Sequence, residues 1–222
     1  MAERMNNERI SDSLLEELKV LDLIIQGDLF TSYSTRLMYA TDASAYRELP
    51  LAVSLPKNET DIIALVRFAS KNKVTLIPRA AGTSLAGQVV GRGLVVDISR
   101  YMNSILEVNE SERWVEVEPG VIPDELNKRL KPRGLFFSPE TSTSNRCMIG
   151  GMIGNNSSGL HSLVYGTTRE HLISVRMVLS DGSVAEFGEL DRQGFDEKCK
   201  LSNLEGSLYR NIRDMMENRE NT

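Results

Sequence analysis

Residues 78 to 87, Pro78-Arg79-Ala80-Ala81-Gly82-Thr83-Ser84-Leu85-Ala86-Gly87, follow the apolar run Val74-Thr75-Leu76-Ile77 and carry almost no side chain large enough to block a ligand. Small residues let successive backbone N–H groups converge on one anion, and the Thr83 and Ser84 hydroxyls add donors without bulk. The stretch is shaped for phosphate. A second tract of the same character lies downstream, Ile149-Gly150-Gly151-Met152-Ile153-Gly154-Asn155-Asn156-Ser157-Ser158-Gly159. Two such tracts in one chain suit the two ends of a large dinucleotide.

Familiar phosphate motifs do not account for the first tract. Gly82 to Gly87 has Walker A spacing, but Gln88 and Val89 stand where a lysine and a hydroxyl residue are required, which argues against a nucleotide triphosphatase. Gly87, Gly91 and Gly93 do not reproduce G-x-G-x-x-G, and the loop opens with proline, which argues against a nicotinamide site of Rossmann type. The carboxylates Asp61, Asp97, Glu116 and Glu118 show no paired arrangement in a glycine-rich pocket, so neither an acid/base dyad nor a metal-ligand set is read from the sequence.

The elements that must carry these tracts follow from periodicity. Ser13-Leu14-Leu15-Glu16 has capping-box spacing, and Leu14, Leu18, Leu21 and Ile25 predict an amphipathic helix from 12 to about 27, a lead-in within residues 1–39. A strand at 51–56, a helix capped by Thr60 and a strand at 74–77 predict a βαβ crossover whose second strand delivers the phosphate loop at its C-terminal end. Further strands are predicted at 94–98 and 114–118, with 105–108 pairing against the latter, then a helix at 123–130 with proline in its first turn and a strand at 135–137. Trp114, Phe136 and Phe137 are expected in the core. Residues 172–179 and 183–187 flank Asp181-Gly182 as a hairpin, and residues 189–222 are charged and helical in character.

Composition sets the class. A chain of 222 residues with 41% hydrophobic content folds around one sizeable core or two small ones. Its net charge of −5, from 26 basic and 31 acidic residues spread along the chain, leaves no footprint for nucleic acid. Cys147 and Cys199 are too few for a disulfide framework or a zinc pattern and fit a reducing cytoplasm. The charged N-terminus lacks a signal-peptide apolar run, and no stretch approaches transmembrane length.

The motifs resemble those of the FAD-binding domain shared by vanillyl-alcohol-oxidase-type flavoenzymes and D-lactate or D-2-hydroxyacid dehydrogenases. The family loop P-R-G-G-G-T-S-x-x-G is matched by 78–87 with Ala80 and Ala81 in place of two glycines. The second signature is matched by Pro139-Glu140-Thr141-Ser142-Thr143, Cys147 to Met152, Asn156 to Gly159, Tyr165-Gly166, Thr168-Arg169-Glu170 and the closing Leu179 to Gly182. The resemblance covers residues 40–188.

It implies an α+β fold of two α/β subdomains with mixed sheets, at about 40–102 and 103–188, plus the N-terminal helix, with FAD lying between the subdomains. It also implies FAD contacts from Arg79, Ala80, Ala81, Gly82, Thr83, Ser84, Gly87, Pro139, Thr143, Ile149, Gly150, Gly151, Gly154, Asn155, Ser158, Gly159, Tyr165 and Gly166. Thr143, Asn155 and Ser158 would give side-chain hydrogen bonds. The cofactor is expected to be noncovalent, since Thr83 stands where many relatives carry a tethering histidine and the chain's histidines, His161 and His171, lie outside that loop. Cys147 is expected to pack rather than react, and Arg79 and Arg169 to be candidates for phosphate.

The implied reaction is hydride transfer from a D-2-hydroxyacid such as lactate or glycolate to the flavin, in a protein that is cytoplasmic or peripheral to the inner face of the membrane. The substrate domain, the catalytic residues and, as in long family members, an iron–sulfur region are expected downstream, so the chain alone is expected to be a fragment with weakened FAD affinity and no turnover. A UDP-sugar reductase or molybdenum-hydroxylase flavin subunit shares the fold but differs in the first loop. A noncatalytic nucleotide- or protein-binding module is the reading from a different class.

Overall fold

The first helix of the computed structural model, α1 (Asp12–Ile24), is capped by Ser11, whose hydroxyl accepts the Leu14 N–H at 3.4 Å, and not by the predicted capping box at Ser13. It also stops short of residue 27. The N–H groups of Gln26 and Gly27 turn instead to the buried Asp61 carboxylate, at 2.8 and 2.9 Å, which also accepts from Lys57 N–H at 2.8 Å. The structure describes residues 10–220. These divide into two compact units, one ending at His171 and the other beginning at Leu172.

The first unit is built on a four-stranded sheet. Its strands are β1 (Asp28–Phe30), β2 (Ala52–Leu55), β3 (Leu76–Arg79) and β4 (Leu94–Asp97), in the order β1-β2-β4-β3, with β1 antiparallel and the others parallel. The short helix α2 (Tyr33–Met38) follows β1, and α3 (Glu59–Asn72) joins β2 to β3. Its N-cap is Asn58 rather than Thr60, because the Asn58 amide oxygen accepts from Asp61 N–H at 2.9 Å.

β2 and β3 run parallel as predicted, but β4 lies between them. The physical reason lies in their side chains. β4 is apolar and buried along its length, as a central parallel strand must be, whereas Pro78 lacks an N–H and is tolerated in β3 at the sheet's edge. Alternate residues point to opposite faces. Ala52, Leu94 and Val96 pack with Leu18, Leu21, Leu65 and Phe68, while Val53, Leu55, Ile77 and Val95 form a core on the other face. Burying a side chain such as Leu65 fully contributes roughly 1.5–3 kcal/mol.

A second core in the same unit lies under the hairpin β5 (Ile105–Asn109) and β6 (Trp114–Val117), with helices α4 (Pro123–Leu130) and α5 (Ile149–Asn155). Val121, Leu126, Leu130, Cys147, Ile149 and Met152 fill it. The predicted strand at 135–137 is irregular instead. Asn127 of α4 substitutes for a strand partner, accepting the Phe137 N–H at 2.7 Å and donating to its carbonyl at 3.1 Å.

Two aromatics expected in the core are not there. Phe136 is 60% exposed and meets Tyr165 edge to face. Trp114 is half-buried, with its indole N–H donating to the Glu112 carboxylate at 2.7 Å. Phe137 does pack against the second core. The unit closes with the short helix α6 (Ser162–Tyr165) and a 3₁₀ turn at Thr168–His171.

The second unit is a hairpin, β7 (Ser174–Val178) and β8 (Val184–Gly188), followed by α7 (Arg192–Lys200) and α8 (Leu204–Glu220). Tyr209 of α8 stacks on Phe187 and meets Phe195 edge to face, with ring centroids 6.0 and 5.5 Å apart. Among the described residues no helix is long and apolar enough to cross a membrane.

Candidate functional site

The phosphate-type loop starts where β3 ends. Ala80 and Ala81 keep negative φ, so replacing glycines there costs no backbone strain, and the left-handed turn falls to Gly82 at φ +65°. The Gly82 carbonyl is turned away and accepts from Ala43 N–H at 3.1 Å. The Ser84 hydroxyl is used within the loop. It donates to the Gln88 side-chain oxygen and accepts from the N–H groups of Ala86 and Gln88, at 3.3 and 3.4 Å. Gly87, at φ +72°, lies against the Tyr46 ring, where a Cβ would come within 2.7 Å of a ring carbon.

Arg79, the last residue of β3, does not simply project from the loop. Its guanidinium donates to the Thr41 carbonyl at 2.9 Å and sits 5.2 Å from the Tyr39 ring centroid. Tyr39 in turn donates its O–H to Asp97 Oδ2 at 2.7 Å. Burial, and then the hydrogen bond to Asp97, push the Tyr39 hydroxyl well above its ordinary pKa, so it remains a donor. Beside this cluster, Asp42 Oδ2 is a buried acceptor with no hydrogen-bond partner. A ligand group donating a hydrogen bond would satisfy it.

The second tract is a helix despite its glycines, and they have separate duties. Gly150 lies against Pro119, where a Cβ would sit 2.6 Å from the proline Cβ, and Gly159 lies against the Glu140 carbonyl in the same way. Those two serve packing. The N–H groups of Ile149 and Gly150 are spent on the carbonyls of Val121 and Pro119, at 2.9 and 2.8 Å. What α5 offers a ligand is therefore close approach. Gly151, Gly154 and Asn155 are exposed, and a Cβ at Gly154 would meet nothing within 4 Å. An L side chain is absent there without any protein atom requiring it.

The two tracts meet. A Cβ at Gly151 would lie 3.2 Å from the Ala80 Cβ, and Gln88 Nε2 donates to Asn155 Oδ1 at 3.2 Å. Loop 80–88 and α5 are thus neighbours, in contact at Ala80 against Gly151 and at Gln88 against Asn155, with Gly154 exposed on the same helix. The remaining expected residues cluster at the other end of the tract. Ser158 is exposed and Gly159 abuts Glu140, next to the buried Pro139. The contacts of Thr143 run to Thr141, Arg146 and Cys147, those of Tyr165 to His171 and Phe136, and those of Gly166 to Ser162 and Glu170. These are not contacts to the first loop.

The histidines and the cysteine are engaged structurally. His161 pairs with Glu140, and His171 Nε2 lies 2.6 Å from the Tyr165 carbonyl. Cys147 is buried, with its sulfur 3.2 Å from the Thr141 hydroxyl. Arg169 contributes a backbone N–H to the Asn156 side chain at 2.9 Å. Sequence reasoning missed Tyr39, Thr41, Asp42, Ala43, Tyr46 and the positive role of Gln88. Only Gln88 lay inside a recognisable motif, and there it counted as a missing lysine.

A family model described as FAD binding domain matches residues 50–188. The chain is 41% identical over 203 residues to a D-2-hydroxyglutarate dehydrogenase of Pantoea ananatis, covering 90% of this chain and 20% of the relative. It is 43% identical to one of Escherichia coli, covering 84% and 19%, and 35% identical to the glycolate oxidase subunit GlcD of Bacillus subtilis, covering 80% and 39%. The chain thus spans about a fifth of the length of those dehydrogenases. Among solved structures it is similar to an alkyldihydroxyacetonephosphate synthase, with TM-score 0.68 and 25% identity over 81% of this chain and 38% of that one. For p-cresol methylhydroxylase the values are 0.70 and 14%, over 80% and 36%.

Proposed function

The chain belongs to the FAD-binding domain family, and on that premise we propose that it is the flavin-holding part of a dehydrogenase that oxidises a D-2-hydroxyacid. The observation that carries the reading is the meeting of the two small-residue tracts, through Ala80 against Gly151 and Gln88 hydrogen-bonded to Asn155. The uncovered backbone at Gly154 and the unsatisfied Asp42 Oδ2 support it, since both suit a bulky ligand that carries donors.

In this reading the flavin-binding part runs over residues 40–188. Loop 80–87 receives the diphosphate through backbone N–H groups and the Thr83 hydroxyl, while Gly151, Gly154, Asn155 and Ser158 border the rest of the cofactor. Bound FAD would supply a hydride acceptor on its ring system. Neither tract contains a side chain suited to be the base, so the base and the substrate pocket are assigned to the part of the longer relatives outside this match. Attachment is noncovalent, because the first loop offers Thr83 and both histidines have structural partners. Reduced Cys147 and Cys199 accord with a cytoplasmic setting.

Reconstitution tests the proposal. The purified protein incubated with FAD is expected to carry an oxidised-flavin absorbance through gel filtration, and the full-length protein to reduce a dye acceptor with D-2-hydroxyglutarate, D-lactate or glycolate. Failure to retain flavin at high FAD concentration refutes the cofactor reading and favours a noncatalytic module. Flavin retention without turnover on any 2-hydroxyacid refutes only the substrate class.

A further inference from the structure

One short stretch of chain, residues 39–43, closes on Arg79 and its loop. Tyr39 offers a ring face, 5.2 Å from the guanidinium carbon, and Thr41 offers its carbonyl at 2.9 Å to Nη1. Two residues further on, the Ala43 N–H takes the Gly82 carbonyl at 3.1 Å. The same short segment therefore grips both Arg79 and the residue three places beyond it. Gly82 itself lies directly over the guanidinium, since a Cβ there would sit 2.5 Å from Nη2 and 2.9 Å from Cζ.

The grip is anchored in the sheet. Asp97 of β4 is the register partner of Arg79 and is buried, and its two oxygens are assigned, one to the Tyr39 O–H at 2.7 Å and the other to the Ser99 N–H at 2.8 Å. The Arg79 carbonyl accepts from Ile98 N–H at 3.1 Å. A chain of contacts thus runs from a buried strand through Asp97, Tyr39 and Arg79 to the turn at Gly82, each link made by the protein's own atoms. Its direction matters. The guanidinium supports the loop from the side of Tyr39 and Thr41, which is a mechanical task distinct from neutralising an anion.

We propose that Arg79 is a positioning residue that acts through Gly82, with Tyr39 and Asp97 holding its guanidinium so that loop 80–87 is already curved before a diphosphate arrives. The inference rests on the FAD reading for the identity of the ligand, but not for the curvature. A preformed loop avoids ordering cost on binding, which is where the affinity gain originates.

The test pairs amide hydrogen exchange of peptides covering 80–88, in the flavin-free full-length protein, with FAD titration of the same samples. Arg79→Gln and Tyr39→Leu are both expected to speed exchange in that peptide severalfold while peptides from α3 keep the wild-type rate. Both are expected to raise the FAD Kd, by about tenfold for R79Q and three- to tenfold for Y39L, as loss of a charged hydrogen bond and of a cation–π contact predict. Should R79Q fail to fold, Tyr39→Phe reads the same relay by removing only the O–H to Asp97, with a smaller change in the same direction.

If Arg79 instead meets the diphosphate directly, R79Q leaves loop exchange at the wild-type rate, flattens the salt dependence of FAD binding, and Y39L has no effect. That result overturns the proposal. If wild-type protein binds no FAD while exchange still rises in both variants, the cofactor reading fails and the loop support stands.

Discussion

Replacing Gly154 by alanine separates what the protein needs from what a ligand needs. Gly154 is exposed on α5, its φ is not in the left-handed region, and a Cβ built there meets nothing within 4 Å. In the ligand-free protein the methyl group therefore encounters only solvent, and alanine is better than glycine in a helix by about 1 kcal/mol. Unfolding of the flavin-free protein is expected to shift upward by about 2–4 °C for a chain of this size. FAD lying against that backbone would be displaced by the methyl, and overpacking of this kind costs about 1–3 kcal/mol, or roughly 5- to 150-fold in Kd. Differential scanning calorimetry with and without FAD, together with a fluorescence titration, reads both numbers. Gly150→Ala is the contrasting case, because its Cβ would sit 2.6 Å from Pro119 Cβ and the flavin-free protein should lose stability. If G154A binds FAD as tightly as wild type, no cofactor covers that face and the role assigned to α5 is wrong. If G154A destabilises the flavin-free protein, the space above Gly154 is not open.

Asp61→Ala leaves the N–H groups of Gln26, Gly27 and Lys57 without their acceptor in a site only 1% exposed, and should cost about 3 kcal/mol or more in denaturant unfolding. An unchanged midpoint would refute the view that this carboxylate ends α1. Asn127→Ala removes both hydrogen bonds to the Phe137 backbone and is expected to cost about 1–3 kcal/mol, with faster exchange at residues 135–139. Tyr39 brings a pH dependence. Its pKa is raised by folding, so the stability this contributes is complete below pH of about 10, where an unfolded tyrosine ionises, and is lost as pH climbs further. Wild-type protein should thus lose stability above that point more steeply than Tyr39→Phe, and parallel pH curves for the two would contradict it.

Much of the candidate site was legible because its parts are local. The loop at 79–87 and the tract at 149–159 stand out through runs of small residues, a property of adjacent positions that needs no fold to be seen. The glycine duties were not legible. Gly150 and Gly154 look alike in sequence, yet one abuts Pro119 and the other faces open space. Phe136 reads as a core aromatic but lies exposed, because Asn127 holds the next residue in an irregular segment rather than a strand. Tyr39 and Asp97 carried no motif at all, being separated by 58 positions and joined only by a hydrogen bond.

Sequence alone determined that the chain has a helix amphipathic about Leu18 and Leu21, buried parallel strands, and two stretches bare enough for backbone to face a ligand, since periodicity and side-chain size act over a few neighbouring residues. Tertiary structure decided that β4 lies between β2 and β3, and that Ala80 meets Gly151 and Gln88 reaches Asn155. It also decided that the Arg79 guanidinium lies against Gly82 and bonds the Thr41 carbonyl, contacts that the loop's composition does not reveal. Those outcomes depend on contacts between segments far apart in the chain, whose energies are set by which surfaces can be buried together and are not encoded in any one segment.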